Sequence, residues 1–130
     1  LLAAQGGFMA VSHDTMEDTL LKFGCRSIHS VKKVTEYMLP KLKEPIYFHK
    51  ENNDPKIVIR PVFDAFRDEL ETISGATINS DLYHNADMTR FPKRLHTGKK
   101  EVHYGLAVTF ENSMAIEKFL TKLSKIAAGS

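Results

Sequence analysis

Glu101-Val102-His103-Tyr104-Gly105-Leu106-Ala107-Val108-Thr109-Phe110 is the stretch on which the fold turns. Its side chains alternate as a strand requires. Val102, Tyr104, Leu106 and Val108 share one face, and His103, Gly105, Ala107 and Thr109 share the other. A last helix follows, capped by Asn112 or Ser113 and carrying Met114, Phe119, Leu120, Leu123 and Ile126 at helical spacing. Lys118, Lys122 and Lys125 lie outside that stripe, the last two placed to suit the C-terminal end of the helix dipole.

Working back from this strand, residues 76–100 have no sustained period and contain Asn79, Ser80, Asn85, Pro92 and Gly98. So long an irregular segment in a compact domain is often functional. Part of it is expected to be a strand, over Asp81–His84 or Arg90–Leu95. Upstream, Val62, Phe63, Phe66, Leu70 and Ile73 predict an amphipathic helix after Pro61, ended by Ser74-Gly75. Earlier still, Pro45–His49 and Lys56–Arg60 are β-prone and flank the turn residues Asn52-Asn53-Asp54-Pro55, which predicts a hairpin. Ile57 and Ile59 fall on one face of its second strand and Val58 on the other.

The first forty residues predict two helices. One spans Asp14–Phe23, with Asp14 or Thr15 as cap and Gly24 as stop. The second starts near Ser27 or Ser30 and runs to about Leu39, on the recurrence of Val31, Val34, Met38 and Leu39; a strand over Gly24–His29 is the alternative for its start. Together these elements predict an α+β fold: a three- to five-stranded antiparallel or mixed sheet with about four helices packed mainly on one face. No repeated βαβ units occur, which argues against a dinucleotide-binding architecture.

A chain of 130 residues fits one domain, and 42% apolar with 26% charged residues is ordinary for a globular protein. We expect residues 1–12 to be a loose leader, residues 13–127 the domain and residues 128–130 a flexible tail. No apolar run approaches the ~18 residues a membrane helix needs, so no membrane partner is expected. A single cysteine, Cys25, rules out an internal disulfide and suits a cytoplasmic protein. It reads as a small buried hydrophobe; as a nucleophile it would need His29, four residues on, on the same helix face.

Net charge is only +2, but its distribution is uneven. Between Met88 and Lys100 stand Arg90, Lys93, Arg94, Lys99 and Lys100, with His96 and Phe91 among them and no acid. Tyr83 and Tyr104 flank the segment. Cations interleaved with rings can follow phosphates and stack bases. The first expectation is therefore a small soluble binding protein for nucleic acid or another polyanion. Arg90, Lys93, Arg94, Lys99 and Lys100 would contact phosphates, and Phe91 or Tyr104 would stack. The competing reading is a solvated loop whose charge maintains solubility.

An enzyme is the second class, a metal-independent ribonuclease using His96 and His103 as acid and base. The third is a small-molecule or protein-binding homodimer joined through a sheet edge or helix face. The six histidines lack the spacing of a helical zinc site, and no cofactor fingerprint is present, so neither metal nor cofactor is expected. Asp64, Asp68 and Glu71 share a helix face and read as solvated.

Overall fold

The computed structural model describes residues 10–50, 55–98 and 100–129. The greater part of the expected leader, the turn residues Asn52, Asn53 and Asp54, Lys99 and the final Ser130 lie outside the described residues. From Ala10 onward the chain is part of the fold. Val11 is buried, and its N–H donates to the Phe110 carbonyl at 3.1 Å.

Helix α1 (His13–Phe23) is capped by Ser12, whose hydroxyl accepts from the Thr15 N–H, two or three residues earlier than Asp14 or Thr15 would have placed the cap. Gly24 ends it at φ 106°, a left-handed conformation that costs glycine little. The second expected helix is absent. Its residues form strands β1 (Arg26–Val31) and β2 (Val34–Met38), turned at Lys32, which takes φ 54°. Val31, Val34 and Met38 match a helical period; Val34, Thr35 and Tyr37 favour a strand, but β2 is buried on both faces and carries no apolar–polar alternation. Pairing with β3 (Pro45–His49) decides between the two.

Strand β4 (Lys56–Ile59) completes the expected hairpin with β3. Pro61–Phe66 is a 3-10 helix continuing into a short α2 (Arg67–Leu70), so the long amphipathic helix expected there is reduced to about one α-turn. Three short strands follow: β5 (Ala76–Ile78), β6 (Tyr83–His84) and β7 (Lys93–Leu95). Strand β8 is Glu101–Phe110, and α3 is Ser113–Gly129, its start held by Asn112 Oδ1, which accepts from the Ala115 N–H at 2.8 Å. Ala127 to Gly129, expected mostly as tail, extend α3.

The described residues thus form one eight-stranded antiparallel sheet with three α-helices, rather than three to five strands with about four helices. The strand count was missed because β1 and β2 read as helix, because β5 is too short to show a period, and because the alternatives Asp81–His84 and Arg90–Leu95 each hold a short strand, β6 and β7. The main path is β1-β2-β3-β4-β8-β5, and β6 and β7 also pair with β8.

Backbone alternation assigns the edges of β8. The His103 and Ala107 carbonyls accept from Asn85 and Asn79, while the Tyr104 N–H donates to the Pro92 carbonyl. Residues of like parity point to one edge. Strands β5 and β6 therefore share one edge of β8, and β4 and β7 share the other. Residues 86–92 must cross a sheet face to pass between these edges.

One face packs on α1 and α3. Tyr37, Phe48, Ile57, Ile59, Leu106, Val108 and Phe110 meet Met16, Leu20, Phe119 and Leu123 there. The opposite face carries a smaller cluster, in which Val34, Tyr47, Val58 and Ala107 are covered by Met88 and Phe91 from the crossing segment. The outer strand β1 carries a bulge between Ser27 and His29, with Ile28 as the extra residue.

Gly105 admits the crossing segment. A Cβ there would lie 2.5 Å from the Ile59 carbonyl oxygen, 2.8 Å from Val58 and 2.9 Å from the Phe91 ring. Gly105→Ala should destabilise the fold by at least ~1–3 kcal/mol through overpacking. A urea midpoint equal to that of the parent chain would contradict this account of the second face.

Candidate functional site

The basic segment divides into two parts. In the first, Arg90 and Phe91 belong to the packing of the second face. The Arg90 backbone N–H donates to the Tyr47 hydroxyl at 3.0 Å, and its guanidinium is ion-paired through Nε with the buried Glu36. Phe91 is 3% exposed and meets the Tyr47 ring edge-on at 4.8 Å. Phe91 is therefore unavailable to stack on a base, contrary to expectation, because its ring occupies the space that Gly105 leaves open.

In the second part, β7 and the start of β8 form a two-stranded ribbon. Lys93, Arg94 and Leu95 are all exposed. The ribbon turns at Thr97 (φ 44°) and Gly98 (φ 101°), and the His96 N–H donates to the Lys100 carbonyl at 3.0 Å. The register pairs Lys93 with His103, Arg94 with Val102 and Leu95 with Glu101. Alternation then sorts the side chains: Arg94, His96, Lys100 and Tyr104 occupy one face, and Lys93, Leu95, Glu101 and His103 the other. Lys93 therefore stands apart from Arg94 and Lys100.

The first of these faces is organised by rings. His84, paired with Tyr104 across β6 and β8, stacks on His96 with centroids 3.8 Å apart and planes 12° from parallel. Tyr104 lies 6.0 Å behind His84 in the same column, and the Arg94 guanidinium rests over the Tyr104 ring at 5.7 Å. Tyr104, expected as a free stacking platform, is therefore occupied from within. The exposed ring of the column is that of His96. Burial first, and then the charges of His96 and Arg94, lower the His84 pKa, which favours the neutral form of this ring. Among the described residues, Lys93, Arg94 and Lys100 make no ion pair with a carboxylate.

The two histidines expected to act as a catalytic pair do not converge. His103 Nδ1 donates to the Phe91 carbonyl at 2.6 Å on the face opposite His96. His84 is the partner His96 finds instead, and nothing in the sequence marks it, because the contact depends on β6 pairing with β8. Cys25 also stands alone: it is buried, burial pushes its thiol up to about 12, and His29 lies exposed on β1. At that pKa it has no nucleophilic role near neutral pH.

A second titratable pair is buried. His49 is 1% exposed, and its Nδ1 lies 3.2 Å from the Tyr83 hydroxyl, with the two rings edge to face at 4.8 Å. Burial, followed by the charge of Lys56, lowers the His49 pKa to about 4.

No group of three or more His, Cys, Asp or Glu among the described residues is arranged to hold a metal ion. No helix among them is long and apolar enough to cross a membrane. The chain matches no protein-family model, no curated protein and no solved structure. The reading of function therefore rests on geometry and charge.

The buried His49 generates a pH dependence. Its native pKa is about 4, against ~6.5 in an unfolded chain, so between these values the unfolded state takes up the extra proton. Stability should be complete above ~pH 6.5 and fall as pH drops toward 4, by a total on the order of 3 kcal/mol from this residue. Urea unfolding at pH 7 and pH 4.5 measures it, and His49→Gln should flatten the profile. An unchanged slope in that variant would exclude His49 as the cause.

Proposed function

We propose that the chain is a nucleic-acid-binding domain that makes contact through the β7–β8 ribbon. The observation that supports this is the ribbon face on which Arg94 and Lys100 flank the exposed ring of His96 without a carboxylate partner among the described residues. The guanidinium and ammonium groups attract phosphates, and the His96 ring offers a surface on which a base can stack. A two-stranded ribbon also has the width to enter a duplex major groove. Lys93, on the reverse side, adds to the attraction without joining the same contact. Arg90 takes no part in this contact, because it lies off the ribbon, beside Glu36 of β2.

Few phosphates are engaged, so affinity should be modest and salt-dependent. A log–log plot of association constant against salt should have a slope near −2, at ~0.7–0.9 per phosphate. Fluorescence anisotropy with single-stranded and duplex oligonucleotides at several ionic strengths measures it. Arg94→Gln and Lys100→Gln should each reduce the slope by just under one. His96→Ala should weaken single-strand binding and leave the slope unchanged. Undetectable binding at low salt, or binding indifferent to both cation variants, would refute the proposal.

A further inference from the structure

A groove of about 530 Å³ opens where the second sheet face ends, lined by Met38, Lys43, Pro45, Arg60 and Arg90. Met38 and Pro45 are cross-strand partners on β2 and β3, so together they form an apolar floor. Three cations surround that floor, each from a different part of the chain: the turn before β3, the residue after β4 and the crossing segment.

Both arginines are fixed from behind. Arg60 gives Nε and Nη2 to the two carboxylate oxygens of Glu44, at 2.6 and 2.7 Å, and its guanidinium lies 5.2 Å from the Phe63 ring centre. Arg90 gives Nε to Glu36. Both acids are 5% exposed, so each is an immobile anchor. A guanidinium has five donor hydrogens, and a carboxylate fork uses only part of them. Nη1 of Arg60 and both terminal nitrogens of Arg90 make no hydrogen bond among the described residues. These donors are held in place before any ligand arrives, which removes much of the ordering cost of binding. Charge points the same way: three cations against two buried carboxylates leave one positive charge to be matched.

We infer that this groove binds a small amphipathic oxyanion. Its carboxylate or phosphate head would engage the remaining donors of Arg60 and Arg90, with Lys43 beside it, and its short hydrocarbon tail would lie on Met38 and Pro45. The volume falls within the usual range of small-molecule sites. A hollow of about 380 Å³ over α3, lined by Lys118, Lys122 and Lys125, lacks these features, since its cations sit on flexible stems without buried anchors. The inference is independent of the ribbon and of nucleic-acid binding.

Isothermal titration with octanoate and octyl phosphate tests it, with acetate, inorganic phosphate and octanol as head-only and tail-only probes. The intact chain should bind at least one of the two amphiphiles saturably at one per chain, and the three fragments at least ~10-fold more weakly. The double variant Glu36→Gln/Arg90→Gln removes the anchor together with the arginine, so no buried charge is left unpaired; it should raise Kd ~10-fold or more. Lys43→Gln, on an exposed turn, should raise Kd by a smaller factor and leave the fold intact. Absence of saturable binding by both amphiphiles would overturn the inference. So would fragments that bind as well as the amphiphiles, or unchanged affinity in both variants, each shown folded by circular dichroism.

Discussion

The backbone of β8 is the constraint on which the rest of the molecule depends. Four strands hydrogen-bond to it: β4, β5, β6 and β7. Each of its two edges is divided between two partners, so the chain must leave β5 on one side and reach β7 on the other. The crossing from Ala86 to Pro92 is therefore imposed by topology, and it brings Met88 and Phe91 over a face that would otherwise expose Val34, Tyr47 and Val58. Gly105 makes that cover possible, because a side chain at this point would collide with the β4 backbone and the Phe91 ring together.

The same crossing decides which cations face solvent unopposed. Arg90 lies where the segment passes β2 and β3, and there it meets Glu36, 54 residues away in sequence. Once the segment has joined the edge of β8 as β7, it has left the body of the sheet, and among the described residues Arg94 and Lys100 meet no acid. One acid-free run of sequence thus becomes two environments: a buffered part, in which the buried Glu36 orients the Arg90 guanidinium, and a projecting part, in which charge is exposed to solvent. Ring stacking at the base of the ribbon ties the start of the crossing to its end, since His84 belongs to β6, just before the crossing, and His96 to the turn.

How much of this was legible in sequence depended on the distance over which each element is determined. Strand β8, the β3–β4 hairpin, α1 and α3 are specified by local alternation or period, and the sequence reading found them within a few residues. Strands β1 and β2 were read as helix because Val31, Val34 and Met38 recur at helical spacing and β2, buried on both faces, shows no alternation; pairing with the neighbouring β3 decides the outcome. Strands β5, β6 and β7 have no more than three residues each, too few for a sustained period; the alternatives Asp81–His84 and Arg90–Leu95 contain β6 and β7, β5 had no signal, and all three pair with β8. The basic segment was visible as composition. Its division was not, because the burial of Phe91 depends on a glycine fourteen residues later and the pairing of Arg90 on a glutamate in another hairpin.

The bulge on β1 bears on how the molecule behaves among its neighbours. An outermost strand presents unused donors and acceptors to any extended peptide, including a second copy of itself. Ile28, inserted between Ser27 and His29, throws that row of groups out of step halfway along. An incoming strand can match the portion before Ile28 or the portion after it, but not both in one register. Removing that single residue would leave a straight, continuous border, and a fold protected from sheet-to-sheet polymerisation would become prone to it.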